Sequence, residues 1–139
     1  MPRSAVYKNI MRKKPNILLT DDEDTFRNIM AKELTRMGYN VVSCASGSET
    51  INTLHERDFD VVILDMNMPV MGGIETLKRV KEMEPTTEVI VLTGQGSIES
   101  AVQAIKSGAY DYLTKPCRLS ELDALLQKAL EKRQLNREN

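Results

Sequence analysis

Short apolar runs alternate with longer segments of helical spacing along this chain. Ile17-Leu18-Leu19, Val41-Val42, Val61-Val62-Ile63-Leu64, Val89-Ile90-Val91-Leu92 and Tyr112-Leu113 read as strands, over about residues 16–20, 40–44, 60–64, 88–93 and 110–113. Continuous β-branched runs of this length suit a sheet buried on both faces. Between them, Phe26, Ile29, Met30, Leu34 and Met37 fall on one helical face, and Gly38 marks a stop. Ser46-Gly47-Ser48-Glu49 has capping-box spacing ahead of Ile51 and Leu54. A third helix follows Gly72-Gly73 with Ile74, Leu77 and Val80 inward and ends before Pro85, which cannot continue a helix. A fourth carries Ile98, Ala101, Val102 and Ile105 and stops at Gly108; a fifth packs Leu119, Leu122, Leu125, Leu126, Ala129 and Leu130.

Strand–helix alternation of this kind predicts an α/β fold, a doubly wound five-stranded parallel sheet with five helices. The expected organisation is a basic N-terminal tail over 1–14, one folded domain over 15–130, and a polar end over 131–139 that runs off as helix or linker with only Leu135 to bury. A chain of 139 residues has room for one complete core and not for a second catalytic domain.

Parallel strands bring four polar groups to one edge. Asp21-Asp22 follow the first run, Asp65 the third, Thr93 the fourth and Lys115 the last. The carboxyl edge of an open α/β sheet is where ligands bind. Two carboxylates about 4 Å apart repel by roughly 4 kcal/mol at an effective dielectric of 20, so three together require a cation or raised pKa values. Lys115 offsets one charge; about two remain, which suits a divalent ion, and oxygen-only ligands open to water favour magnesium over zinc. Thr93 precedes Gly94 and Gly96, which leave space for close approach of a ligand to the backbone.

Charge and cysteine content narrow the classes further. Net charge is -1, yet Arg3, Lys8, Arg12, Lys13 and Lys14 stand in a head without acids, so the rest is acidic. An acidic body does not suit nucleic-acid binding, which needs clustered Lys and Arg. No apolar stretch is long enough for a bilayer span or a signal peptide, so a cytoplasmic location and no membrane contact are expected. Cys44 and Cys117 are then expected as free thiols, and with His55 alone they make no four-ligand zinc site.

Four motifs in order, Leu19-Thr20-Asp21-Asp22-Glu23, Asp65-Met66-Asn67-Met68-Pro69, Leu92-Thr93-Gly94 and Tyr112-Leu113-Thr114-Lys115-Pro116, resemble the receiver domain of two-component response regulators over about residues 15–130. The stretch from Thr93 through Tyr112 is most similar to receivers that precede AAA+ activators of sigma-54 RNA polymerase. The resemblance implies the flavodoxin-like strand order 2-1-3-4-5. It implies that Asp65 accepts a phosphoryl group from a sensor histidine kinase, and that Asp22, Asp65 and the backbone carbonyl of Asn67 hold Mg2+ while Asp21 assists through water. It gives Lys115 and Thr93 to the phosphoryl oxygens and makes Thr93 and Tyr112 the switch pair. A downstream AAA+ domain, a phosphorylation-dependent homodimer, and response through the fourth helix, last strand and fifth helix follow from the same likeness. Gly72 and Cys117 depart from the commonest pattern, and neither is a site residue.

Two other classes compete. An aspartyl-phosphate phosphatase commonly has a second acid two residues after its nucleophile, where this chain has Asn67. A flavodoxin-like nucleotide binder needs a Gly-, Ser- or Thr-rich loop after the first strand, where Asp21 to Asp24 would repel phosphate.

Overall fold

The computed structural model describes residues 14–68, 70–94 and 98–138. Most of the basic head, together with Pro69, Gln95, Gly96 and Ser97, lies outside the described residues. The described elements are β1 (Asn16–Thr20), α1 (Asp24–Arg36), β2 (Asn40–Cys44), α2 (Gly47–Glu56), β3 (Val61–Asp65), α3 (Gly73–Met83), β4 (Glu88–Thr93), α4 (Ile98–Lys106), β5 (Asp111–Thr114) and α5 (Leu119–Glu138). All strand pairs are parallel, in the order β2-β1-β3-β4-β5. This is the doubly wound five-stranded sheet with five helices expected from the alternation.

Residue alternation along each strand divides the core between the two faces. Leu18, Val62, Leu64, Val89 and Val91 pack with Leu54, Leu77 and Val80 on one side. Ile17, Leu19, Ile63, Ile90 and Leu92 pack with Leu34, Leu122 and Leu126 on the other. Each fully buried aliphatic side chain contributes about 1.5–3 kcal/mol, so the central strands β1, β3 and β4 anchor both layers. Gly38 and Gly108 end α1 and α4 with φ of +103° and +108°, a region that side-chain-bearing residues avoid. At α2, Ser46 Oγ accepts from Glu49 N, and Glu49 reaches back to Ala45 N rather than to Ser46 N, one position short of an ideal capping box.

Some expectations shift. Strand β3 covers 61–65 rather than 60–64, so Asp65 is itself a strand residue paired with Leu92. Strand β5 covers 111–114, and Lys115 N extends its ladder to Thr93 O at 2.7 Å. On α1, Ile29 and Met37 are exposed, while Met30 and Leu34 are buried. The largest change is at α4, where Ile98, Val102 and Ile105 are 75%, 47% and 43% exposed and only Ala101 and Ala104 are buried. Helical spacing identifies an apolar stripe but not which face docks. Here the small alanines, about a quarter turn from the branched residues, allow close approach to the sheet. At the C-terminus Leu135 is exposed, whereas Arg133 is buried.

Candidate phosphoryl and metal site

Asp21 leaves the end of β1 completely buried, and its position is fixed from three sides. Its backbone N–H donates to Cys44 O at 3.1 Å, its Oδ1 accepts from Glu23 N at 2.9 Å, and its carbonyl accepts from the Arg27 guanidinium at 2.7 Å. Asp22 is exposed on the turn that follows. Asp65, at the end of neighbouring β3, is 3% exposed, with Oδ1 accepting from Asn67 N at 3.3 Å. Because β1 and β3 pair in parallel register, these acids emerge side by side. One oxygen from each of Asp21, Asp22 and Asp65 lies within 4.8 Å of the other two.

Lys115 enters from β5. Its ammonium is 2.6 Å from Asp21 Oδ2, 3.7 Å from Asp65 Oδ1 and 3.9 Å from Glu23 Oε1. Burial alone would lower the Lys115 pKa, but the Asp21 hydrogen bond and the charges of Asp65, Asp21 and Glu23 outweigh it and raise it. Asp65 is pushed up to about 6, first by burial and then by the Asp21 charge, against the lowering effect of Lys115 and the Asn67 amide. Three carboxylates against one ammonium leave excess negative charge, and all the donors are hard oxygens, so these residues fit a divalent cation of the magnesium class.

Thr93 ends β4 at the same edge, 2% exposed and paired with Thr114. Tyr112 pairs with Val91, and its side chain is 42% exposed. Thus the structure gathers Asp21, Asp22, Asp65 and Lys115 into one contact cluster, brings Thr93 and Asn67 to its rim, and leaves Tyr112 facing outward. His55 is exposed and both cysteines are free thiols, as expected.

Three contributors were not legible as site residues. Arg27, six positions after Asp21, holds the Asp21 carbonyl while also pairing with Asp24 at 2.7 Å. Phe26 reads from its spacing as a core residue, yet its ring lies 4.3 Å from the Lys115 ammonium, close enough for a cation–π contact. Glu23 appears in the sequence only as part of the acidic stretch after the first strand, and it adds a third carboxylate beside the lysine. The N-cap and first turn of α1 place all three around the site; the sequence signal was their i, i+3 and i+4 relation, which alone carries no chemistry.

A parallel sheet with an acidic pocket and a lysine at its carboxyl edge defines a class of phosphoryl-accepting α/β domains. Residues 17–127 match the response regulator receiver domain family, and the chain belongs to it. It is 42% identical over 115 residues to the transcriptional regulatory protein ZraR of Escherichia coli O157:H7, covering 83% of this chain and 26% of that protein. The putative response regulator NtrX-like of Rickettsia bellii is 40% identical over 126 residues, covering 89% of this chain and 26% of the relative. Among solved structures, NtrX from Brucella abortus in complex with ADP superposes with a TM-score of 0.86 at 30% identity, over 91% of this chain and 29% of that one. A response regulator receiver domain protein from Clostridium thermocellum gives a TM-score of 0.84 at 34% identity, over 87% and 98%. The chain therefore spans about a quarter of the length of these curated relatives. Among the described residues no helix is long and apolar enough to cross a membrane.

Proposed function

We propose that this chain is a phosphorylation-dependent switch, in which Asp65 accepts a phosphoryl group from the phosphohistidine of a sensor histidine kinase. An Asp65 carboxylate oxygen attacks phosphorus, the P–N bond breaks, and the imidazole departs with the electron pair. Asp22, Asp65 and the Asn67 carbonyl would hold Mg2+, with Asp21 assisting through water. When bound, the ion supplies positive charge beside the phosphoryl oxygens and favours the ionised form of Asp65. Lys115 stands 3.7 Å from the acceptor carboxylate, where its charge opposes repulsion of the donor. Thr93 would donate its hydroxyl to the added group, and Tyr112 would leave its exposed position and turn inward.

The observation that carries this reading is the convergence of Asp21, Asp22 and Asp65, with the Lys115 ammonium within 4 Å of Asp21 and Asp65. A phosphoryl group adds up to about two negative charges and three acceptor oxygens, enough to rearrange a weakly held element. The surface expected to change comprises α4, β5 and α5, and its output is control of a downstream AAA+ transcription activator. The exposed branched stripe of α4 supports pairing with a second copy when phosphorylated. Modification and its hydrolysis would be the only turnover, in a cytoplasmic module that does not itself bind nucleic acid. Folded-domain limits of about 15–130 with a basic tail before them fit this reading. The phosphatase alternative draws no support from the family match.

The test is intact mass after incubation with acetyl phosphate and magnesium. One phosphoryl group should appear on the wild type and none on Asp65→Ala; equal labelling of both rejects Asp65 as acceptor. Magnesium titration should also show a weakened affinity for Asp22→Ala.

A further inference from the structure

A second charged cluster lies under the sheet, at the opposite edge from Asp65, where β1, β3 and β4 begin. Asp60, just before β3, accepts from Asn16 N at 2.8 Å through Oδ2, donates its own N–H to Asn16 O at 2.8 Å, and accepts from Glu88 N through its carbonyl. Its other carboxylate oxygen faces the Arg133 guanidinium at 3.2 Å. Glu88, the first residue of β4, is 1% exposed, with Lys132 at 3.5 Å on one oxygen and Lys81 at 3.9 Å on the other. Lys81 also donates to Pro85 O and Thr87 O, and Lys132 lies 5.6 Å from the Tyr110 ring.

Two of these groups belong to the last turns of α5. Glu88 Oε1 has no hydrogen-bond partner among the described residues, so its burial is compensated by the flanking ammonium groups. Removing a cation would leave a buried carboxylate uncompensated, which holds the helix end in place. Near its start α5 is tied again, since Tyr39 OH donates to Asp123 at 2.5 Å. Helix α4 has no comparable attachment: among the described residues no side-chain hydrogen bond or ion pair joins it to the sheet, and two alanines supply its buried residues.

We propose that Lys132 and Arg133 clamp the end of α5 to the floor of the sheet, so that the helix leaving the domain stays locked to β1, β3 and β4 when Asp65 is phosphorylated. The rearrangement is thereby kept to α4, β5 and the first turns of α5, and does not reach the end of α5. The second half of this inference rests on the switch reading above; the clamp itself does not.

Hydrogen exchange on the full chain, with and without acetyl phosphate and magnesium, separates the two. Without phosphodonor, Arg133→Met should lower amide protection over 130–136 by about tenfold or more and leave α1 to α3 unchanged. Lys132→Gln and Asp60→Asn should lower it in the same place to a smaller extent, and they carry the test if Arg133→Met does not fold. Unchanged protection in the variants overturns the clamp. In the phosphorylated wild type, protection should change in α4 and remain within about twofold over 130–136; a tenfold loss there overturns the locked-helix inference. Intact mass on the same samples reports phosphoryl uptake, so its absence would count against the switch reading while the unphosphorylated arm still decides the clamp.

Discussion

Helices α4 and α5 pack on β4 from opposite faces of the sheet, and they are attached in opposite ways. Helix α5 seats Leu122, Leu126 and Ala129 fully in the core and is bonded through Asp123, Lys132 and Arg133. Helix α4 seats two alanines and turns three branched residues to solvent. Both sequences carry apolar residues at helical spacing, and the shorter α4 shows the sharper stripe of the two. The difference teaches that an apolar stripe reports where a helix has something to bury, not that it is buried against its own sheet. A helix held by two alanines is close in energy to other placements, and such low-stability elements are the ones available to move.

The strongest challenge to this contrast is a pair of truncations. Leu126→Ala should destabilise the fold by about 2–5 kcal/mol, because a fully buried side chain leaves a cavity. Val102→Ala should stay within about 0.5 kcal/mol, as befits a half-exposed position. Urea unfolding followed by far-UV circular dichroism measures both; equal losses would mean that α4 is as firmly seated as α5.

A second measurement concerns the acidic pocket at the carboxyl edge of the sheet. Asp65 holds its proton up to about pH 6 when folded, against a usual value of 3.8. The folded state binds more protons between those limits, so this group's contribution to stability falls as pH rises through that window. At pH 8 without divalent cation, Asp65→Asn should therefore be more stable than wild type by about 1–3 kcal/mol. Near pH 3.5 the difference should largely vanish, since both states then hold the proton. Saturating magnesium should reduce the gap at pH 8. A variant equally stabilised at both pH values would mean that carboxylate repulsion is not its origin.

The smallest expected effect concerns the loop between β3 and α3. Val70 has φ of +66° and is fully exposed. A β-branched residue in the left-handed region costs roughly 1–2 kcal/mol. Val70→Asn should recover about 1 kcal/mol of that without altering either helix. A melting temperature below that of the wild type would show that the side chain makes compensating contacts.

Strand–helix alternation, the two-sided core and the polar residue at the end of four of the five strands were all readable from the chain. Each depends on patterns a few residues long: continuous β-branched runs for doubly covered strands, apolar 3–4 spacing for helices, and an acid, hydroxyl or lysine where a run stops. Asp21, Asp65, Thr93 and Lys115 were legible as site candidates for that reason. Phe26, Arg27 and Glu23 were not, because a ring, a guanidinium and a carboxylate on one helical turn have the same local signature whether they face solvent or a lysine from β5.

Residue order along this chain determined that a parallel sheet would form and that its carboxyl edge would carry acids and a lysine, since propensity and burial periodicity are local properties. Only the folded arrangement decided which stripe of α4 met the sheet, that Arg133 turned inward to Asp60, and that Lys115 sat 2.6 Å from Asp21. Those outcomes depend on distances between groups far apart in the chain, where close packing and the cost of burying charge select one partner among several.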